Sequence, residues 1–103
     1  MRVQIDNKVH RELETFYVVS MQMHPTLDRE TVLRKLDRLY DAVYMLGNFA
    51  NIYPLARVRR SWVAKGYREM ICEDFHFAFS VIHLEDGKPV VYVFDAVHSK
   101  LNY

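Results

Sequence analysis

Cysteine occurs once in these 103 residues, at Cys72, so no disulfide can close within the chain and no cysteine-based zinc knuckle can form. Glycine and proline are equally scarce, three of each, and act as punctuation between elements. Long hydrophobic runs are missing. Thr15 to Thr26, within the longest uncharged stretch of the first half, is interrupted by Ser20, Gln22 and His24 and falls well short of the roughly 20 apolar residues a spanning helix needs. Met1-Arg2-Val3-Gln4-Ile5-Asp6 lacks the apolar stretch of a secretory signal, and the expected location is the cytoplasm, away from membranes. No Walker loop, GxGxxG, HExxH or GxSxG occurs, which removes most nucleotide-dependent, metalloprotease and hydrolase classes. A strong excess of one charge is absent too. The net charge is +1, so no whole-protein field draws in nucleic acid.

Apolar residues are plentiful. Half the chain is hydrophobic and 14% is aromatic, enough to fill the core of one domain spanning 1–103. Charge is uneven. Arg57, Arg59, Arg60, Lys65 and Arg68 fall between Leu55 and Arg68 with no acid among them, leaving 9 cations against 13 acids elsewhere. That segment is either a local phosphate-binding patch or a solvated loop.

The hydrophobic period divides the chain. Arg2 to Asp6 alternates and predicts a short first strand. From Asn7 the period becomes helical, with Val9, Leu13, Phe16 and Tyr17 on one face, Asp6 or Asn7 as N-cap, and Pro25 as the stop. Thr26 offers the next cap, and Val32, Leu36, Leu39, Val43 and Leu46 make a second amphipathic helix ending at Gly47-Asn48. The short connection predicts an antiparallel helical hairpin. Phe49 to Gly66 has no clean period and reads as a connection with a short helical turn or edge strand. Tyr67–Cys72, Phe75–Leu84 and Val90–Val97 read as strands joined by tight turns at Glu73-Asp74 and at Glu85-Asp86-Gly87-Lys88, hence an antiparallel meander. The last strand, nearly all apolar, is expected to be central.

The predicted fold is therefore α+β, a two-layer sandwich of helical hairpin against sheet. Phe75, Phe77, Phe79 and Val81 would face the helices, each ring contributing roughly 1.5–3 kcal/mol on burial. The opposite face, expected to carry Arg68, Met70, His76 and Ser80, would be open for work on a ligand.

On that face Arg68 would present its planar fork to phosphate, or instead pair with Glu69, Glu73 or Asp95. His76 and His83 are seven apart, so one regular strand points them to opposite faces, and no metal site is expected from them. Cys72, Asp74 and His76 suggest a thiol nucleophile, but a buried structural cysteine is the preferred reading. His76 and His98 are each either hydrogen-bonding structural groups or acid–base candidates.

Lys65-Gly66-Tyr67-Arg68-Glu69, Phe75-His76-Phe77-Ala78-Phe79-Ser80-Val81 and Val90-Val91-Tyr92-Val93-Phe94-Asp95-Ala96-Val97-His98 together resemble the C-terminal half of RelE/ParE toxins. Those proteins run a Gly-Tyr-Arg strand, an aromatic strand, a tight turn and a last strand ending near His, Lys or Arg. The order of the upstream strand and helices agrees. The resemblance implies a toxin of a bacterial type II toxin–antitoxin pair, of the plasmid-stabilisation kind. In the RelE branch this is a ribosome-dependent mRNA endoribonuclease without metal or cofactor. There a 2′-hydroxyl attacks the adjacent phosphate while cations stabilise charge and an acid–base group moves protons. The ParE branch inhibits DNA gyrase, and a non-catalytic interaction domain of the same fold is the third possibility. Carried over, the catalytic set is Arg68, His76, His98 and Tyr103, with Tyr103 orienting or stacking on a base. Arg57, Arg59, Arg60, Lys65 and Lys100 would hold phosphate. His76 stands where the family usually has arginine, and Met70 where RelE commonly has lysine. The implied partners are a small antitoxin and either the ribosome with its mRNA or gyrase, with the toxin dimeric or in a heterotetramer with antitoxin.

Overall fold

A computed structural model describes residues 1–24 and 26–99. Strand β1 (Arg2–Ile5) leads into helix α1 (Asn7–Met23), followed by helix α2 (Arg29–Phe49), a 3-10 turn at Ala50–Ile52 and the short helix α3 (Arg60–Ala64). Strands β2 (Arg68–Cys72), β3 (Phe75–His83) and β4 (Pro89–His98) follow. The four strands form one mixed sheet in the order β1-β4-β3-β2, with the last three antiparallel and β1 parallel to β4. The fold is α+β, and β4 is central as its apolar run requires. Among the described residues no helix is long and apolar enough to cross a membrane.

Local chemistry explains the boundaries. Asp6 caps α1, its carboxylate accepting from the Lys8 amide at 2.9 Å and from the Tyr92 hydroxyl at 2.8 Å. Asp28, rather than Thr26, caps α2, accepting from the Glu30 amide at 3.1 Å. The β2–β3 turn places Glu73 and Asp74 at φ 46° and 72°, the left-handed pair of a two-residue hairpin. Arg38 of α2 grips that turn through the Glu73 carboxylate, with contacts of 2.9 to 3.2 Å. Gly87, at φ 80°, serves the β3–β4 turn.

Gly47 does not stop α2, which continues to Phe49. Its lack of a side chain serves another purpose. A Cβ there would run into the Met1 carbonyl oxygen, and the Met1 amino group donates to the Gly47 carbonyl at 2.8 Å. The glycine lets β1 lie against the helix.

The main core lies between the hairpin and one sheet face. Val9, Leu13, Leu39, Val43 and Leu46 from the helices meet Phe75, Phe77, Phe79, Val91, Val93 and Ala96 from the sheet. The phenylalanine row is fully buried there, as its alternation demands. The reverse face is not left open. Residues 54–67 fold across it, and Ala56, Trp62, Ala78 and Val97 make a second small cluster, with Tyr67 packed beside them.

Two expectations therefore change. Met70 is 2% exposed and belongs to the main core, and Arg68 shares its face, registered against Phe79. Tyr67 takes the reverse face, stacked on Phe94 at 4.5 Å between ring centres. With Tyr67 outside, alternation sends Arg68 to the helix side, where Nη1 donates to the Tyr53 carbonyl at 2.5 Å.

Gly47→Ala should destabilise the fold. Helix propensity favours alanine by about 1 kcal/mol, but overpacking against backbone costs about 1–3 kcal/mol. A lowered urea midpoint is expected, and a raised one would show that β1 is not held against α2. The acid limb of stability also follows from the structure. The Asp6 carboxyl is held below its ordinary 3.8, first by the Lys8 amide and then by the Tyr92 hydroxyl. The Glu73 carboxyl is held below 4.5 by Arg38. Carboxyls depressed in the folded state stabilise above their unfolded values and lose that contribution as pH falls through the folded ones. Unfolding free energy should therefore decline below about pH 5. Asp6→Asn and Glu73→Gln should each flatten that decline, read by urea denaturation at stepped pH.

Candidate functional site

The segment after α2 becomes ordered because it is tied to the sheet backbone. The Ala56 amide donates to the Tyr67 carbonyl at 2.8 Å, and the Glu69 amide to the Pro54 carbonyl at 3.0 Å, so residues 54–56 extend the β2 edge. Helix α3 is too short to stand alone. It is held by Trp62, which is 2% exposed and whose indole N–H donates to Asp95 Oδ2 at 3.0 Å. Lys8 Nζ lies 3.4 Å from the same oxygen.

Asp95 reaches this face because of an irregularity in β4. Ala78 registers with Asp95 but Phe79 registers with Val93, so Phe94 is the extra residue of a bulge. Up to Val93, odd-numbered residues of β4 face the main core. Beyond the bulge the parity reverses: Asp95 and Val97 turn to the reverse face, and Ala96 and His98 turn inward.

Between this strap and the sheet lies a cleft of about 580 Å³, lined by Val58, Arg59, Trp62, Glu69, Ile71, His76 and Ser99. His76 and Glu69 meet across β2 and β3, with Nδ1 2.8 Å from Oε2. Both are largely buried, their side chains 23% and 15% exposed. An ionised carboxylate only accepts, so Nδ1 carries the proton that it donates to Glu69. Nε2 is then the basic ring nitrogen. The Arg59 guanidinium stacks on Trp62 at 5.3 Å from the ring centre, which fixes a cation at the cleft wall. Such an arrangement can accept and return a proton beside an anion.

A second hollow of about 290 Å³ adjoins the first. It is lined by Pro54, Leu55, Ala56, Arg57, Val58, Glu69 and Ile71. Val58, Glu69 and Ile71 are common to both.

The residues expected from sequence are divided by this geometry. His76 and Arg59 line the larger hollow together, Arg57 lines the smaller one, and Arg60 is exposed at the start of α3. Lys65 is exposed beside it, its ammonium 5.8 Å from the centre of the Tyr67 ring. Arg68 is not part of the site. It lies on the opposite sheet face from His76, engaged with Tyr53. His98 is not part of it either. It is 8% exposed in the main core, stacked on Phe16 at 5.5 Å and edge-on to Phe75 at 4.9 Å. Lys100 and Tyr103 lie outside the described residues. Cys72 is on the helix-facing side with Phe75, and burial pushes its thiol pKa up, which opposes a thiolate nucleophile.

Sequence reasoning missed Glu69 as the partner of His76, Trp62 and Asp95 as the clamp, and Val58 and Ile71 as the lips. Alternation held a signal for one of them. Residues 69 and 76 stand on paired strands around a two-residue turn, and with Met70 inside they share the reverse face. The chain matches no protein-family model and no curated protein.

Trp62→Phe should leave Asp95 without its indole donor. The expected loss is about 1–3 kcal/mol, since a half-satisfied carboxylate is left behind. Far-UV circular dichroism in urea reads this without relying on the tryptophan that has been removed. Unchanged stability would mean the clamp contributes nothing.

Proposed function

We propose that this chain is a RelE/ParE-like toxin whose groove cuts RNA, with His76 as the group that moves the proton and Glu69 as its positioning partner. The observation that carries this is the 2.8 Å His76–Glu69 contact, set in a cleft whose wall holds Arg59. The strand–hairpin–meander order and the Gly66-Tyr67-Arg68 segment support the family reading.

In the proposed reaction Nε2 of His76 takes the proton from a ribose 2′-hydroxyl. The 2′-oxygen attacks the adjacent phosphorus and the bond from phosphorus to the 5′-oxygen breaks. The proton returns to the departing 5′-oxygen. The products are a 2′,3′-cyclic phosphate and a free 5′-hydroxyl. Arg59, with Arg57 nearby, offsets the charge that gathers on the phosphoryl oxygens. Glu69 holds the ring in the tautomer with Nε2 facing the substrate as acceptor. Arg68 and His98 have structural roles in this reading. The partner it implies is a small antitoxin whose acids face the arginines of residues 57–60.

The test is induced expression with mapping of mRNA 5′ ends, alongside a growth measurement. The unaltered protein should arrest growth and produce new ends. His76→Ala should abolish cleavage, and Glu69→Gln should reduce it by about 10- to 100-fold with the fold intact. Arg68→Ala should lower stability and leave cleavage per folded molecule unchanged. Arrest with intact mRNA and blocked supercoiling would instead favour a gyrase-type inhibitor. Full cleavage by His76→Ala would end the catalytic assignment.

A further inference from the structure

Helix α2 carries two apolar stripes. Leu39, Val43 and Leu46 belong to the buried core. Leu33, Leu36, Tyr40 and Tyr44 run beside them along the helix, spaced to share one face. Leu33 and Tyr44 are 40% and 56% exposed. Leu33, Leu36 and Tyr40 join Leu13 and Tyr17 of α1 around a hollow of about 390 Å³ between the helices. The core fills the sheet side of the hairpin, so the hollow opens on the side away from the sheet. His10 Nδ1 and the Tyr40 hydroxyl are hydrogen-bonded at 2.7 Å, and their rings stack at 5.6 Å, which fixes one end of the hollow. That contact also sets the level of the two antiparallel helices. Seven residues on from His10 along α1, and seven back from Tyr40 along α2, Tyr17 and Leu33 stand side by side.

The charges around the hollow are ordered along it. Arg29, the first residue of α2, lines the end near the α1–α2 connection. Glu14 lines the hollow one turn from Tyr17 in the opposite direction, and Asp37 follows Leu33 by one turn of α2. All three are exposed. A wholly basic or wholly acidic partner would meet a like charge at one end. A surface with the same residues in reverse order would not, and a second copy turned end for end presents it. The net charge of +1 adds little repulsion between copies. We infer that a second copy of this chain covers the hairpin, related by a two-fold axis that crosses both helices at the level of Leu33 and Tyr17. Leu33 and Tyr17 meet their counterparts at the centre. Arg29 and Asp37 stand four residues, about 6 Å, on either side of Leu33, so Arg29 of each copy meets Asp37 of the other. The four helices pack as an antiparallel bundle. The clefts at His76, on the reverse faces of the two sheets, point away from each other and stay open. The inference does not rest on the chemistry proposed for those clefts.

The experiment is sedimentation velocity on the full chain from about 1 to about 300 μM, a range that brackets a dissociation constant on the order of 30 μM for an interface of this modest size. The mass should rise from that of the 12.3 kDa monomer to double that value. Leu33→Glu brings two carboxylates together on the axis and should leave only monomer. Arg29→Glu sets acid against Asp37, and Asp37→Arg sets base against Arg29, so each alone should weaken self-association at least about tenfold. Mixed in equal amounts, the two variants should restore the dimer, because both cross-pairs are then of opposite charge. Arg29→Glu places an acid in the first turn of α2, where the helix dipole favours it, and Asp37→Arg alters an exposed position. Their unfolding midpoints at low concentration should match the parent.

Monomer throughout the concentration range would overturn the inference. A dimer that survives Leu33→Glu would place the contact elsewhere on the molecule and overturn it too. Two monomeric charge variants that stay monomeric when mixed would refute the end-for-end pairing of Arg29 with Asp37. None of these results touches the reading of the cleft, which His76→Ala tests separately. Cleavage in cells by Leu33→Glu at the level of the parent would show the two surfaces to be independent, as their placement on opposite sides of the sheet requires. Loss of cleavage in that variant, with the fold intact, would contradict the open clefts of the proposed dimer.

Discussion

Strand β3 is covered on both faces, and the rest of the molecule is arranged around that constraint. Phe77, Ala78 and Phe79 are consecutive and all fully buried. The phenylalanines point to the helical hairpin, where large rings fill the wide space between helix and sheet. Ala78 points the other way, beneath Trp62. A small residue there lets the indole come down onto the sheet, and that descent builds the wall of the cleft. The same strand thus supplies the main core from one side and the floor of the site from the other.

One extra residue in β4 decides what each face receives. Without the bulge at Phe94, strict alternation would send Asp95 toward the helices and His98 toward the groove. With it, Asp95 receives the indole N–H of Trp62, and His98 is enclosed by Phe16 and Phe75. The bulge costs a ladder contact locally. Its return is the clamp on α3, a helix of five residues that has no independent stability. Tyr67 and Phe94 stack across the same region, so the bulged residue itself helps secure the strap.

The candidate site is a product of that strap. The arginine-rich segment has no clean period of its own, and its composition fits a phosphate-binding patch and a solvated loop alike. Once Ala56 and Glu69 join it to the β2 edge and Trp62 pins its far end, Arg59 lines the same cleft as His76 and Arg57 the adjoining hollow. The local basic patch survives in a chain of nearly neutral charge because the segment's own acids are absent and Glu69 is committed to the imidazole. A histidine held by a carboxylate gains from such a half-buried setting, where water competes less for the hydrogen bond.

Much of the architecture was legible from periodicity. The helical stripes of α1 and α2, the Phe75–Phe77–Phe79 row, the turns at Glu73-Asp74 and Gly87 and the central β4 are local patterns, and local sterics with hydrophobic burial determine them directly. His76 was legible as a reverse-face residue for the same reason. Arg68 and His98 were not. Their direction depends on parity, and parity is set by a neighbour's preference: Tyr67 stacks on Phe94, and Phe94 is itself displaced by the bulge. The pairing of Glu69 with His76, the descent of Trp62 and the joining of two hollows into one groove all require contacts between residues distant in the chain. A sequence carries periodicity within each element. Only packing decides which face of a strand a strap will cover, because one added residue inverts every side chain that follows it.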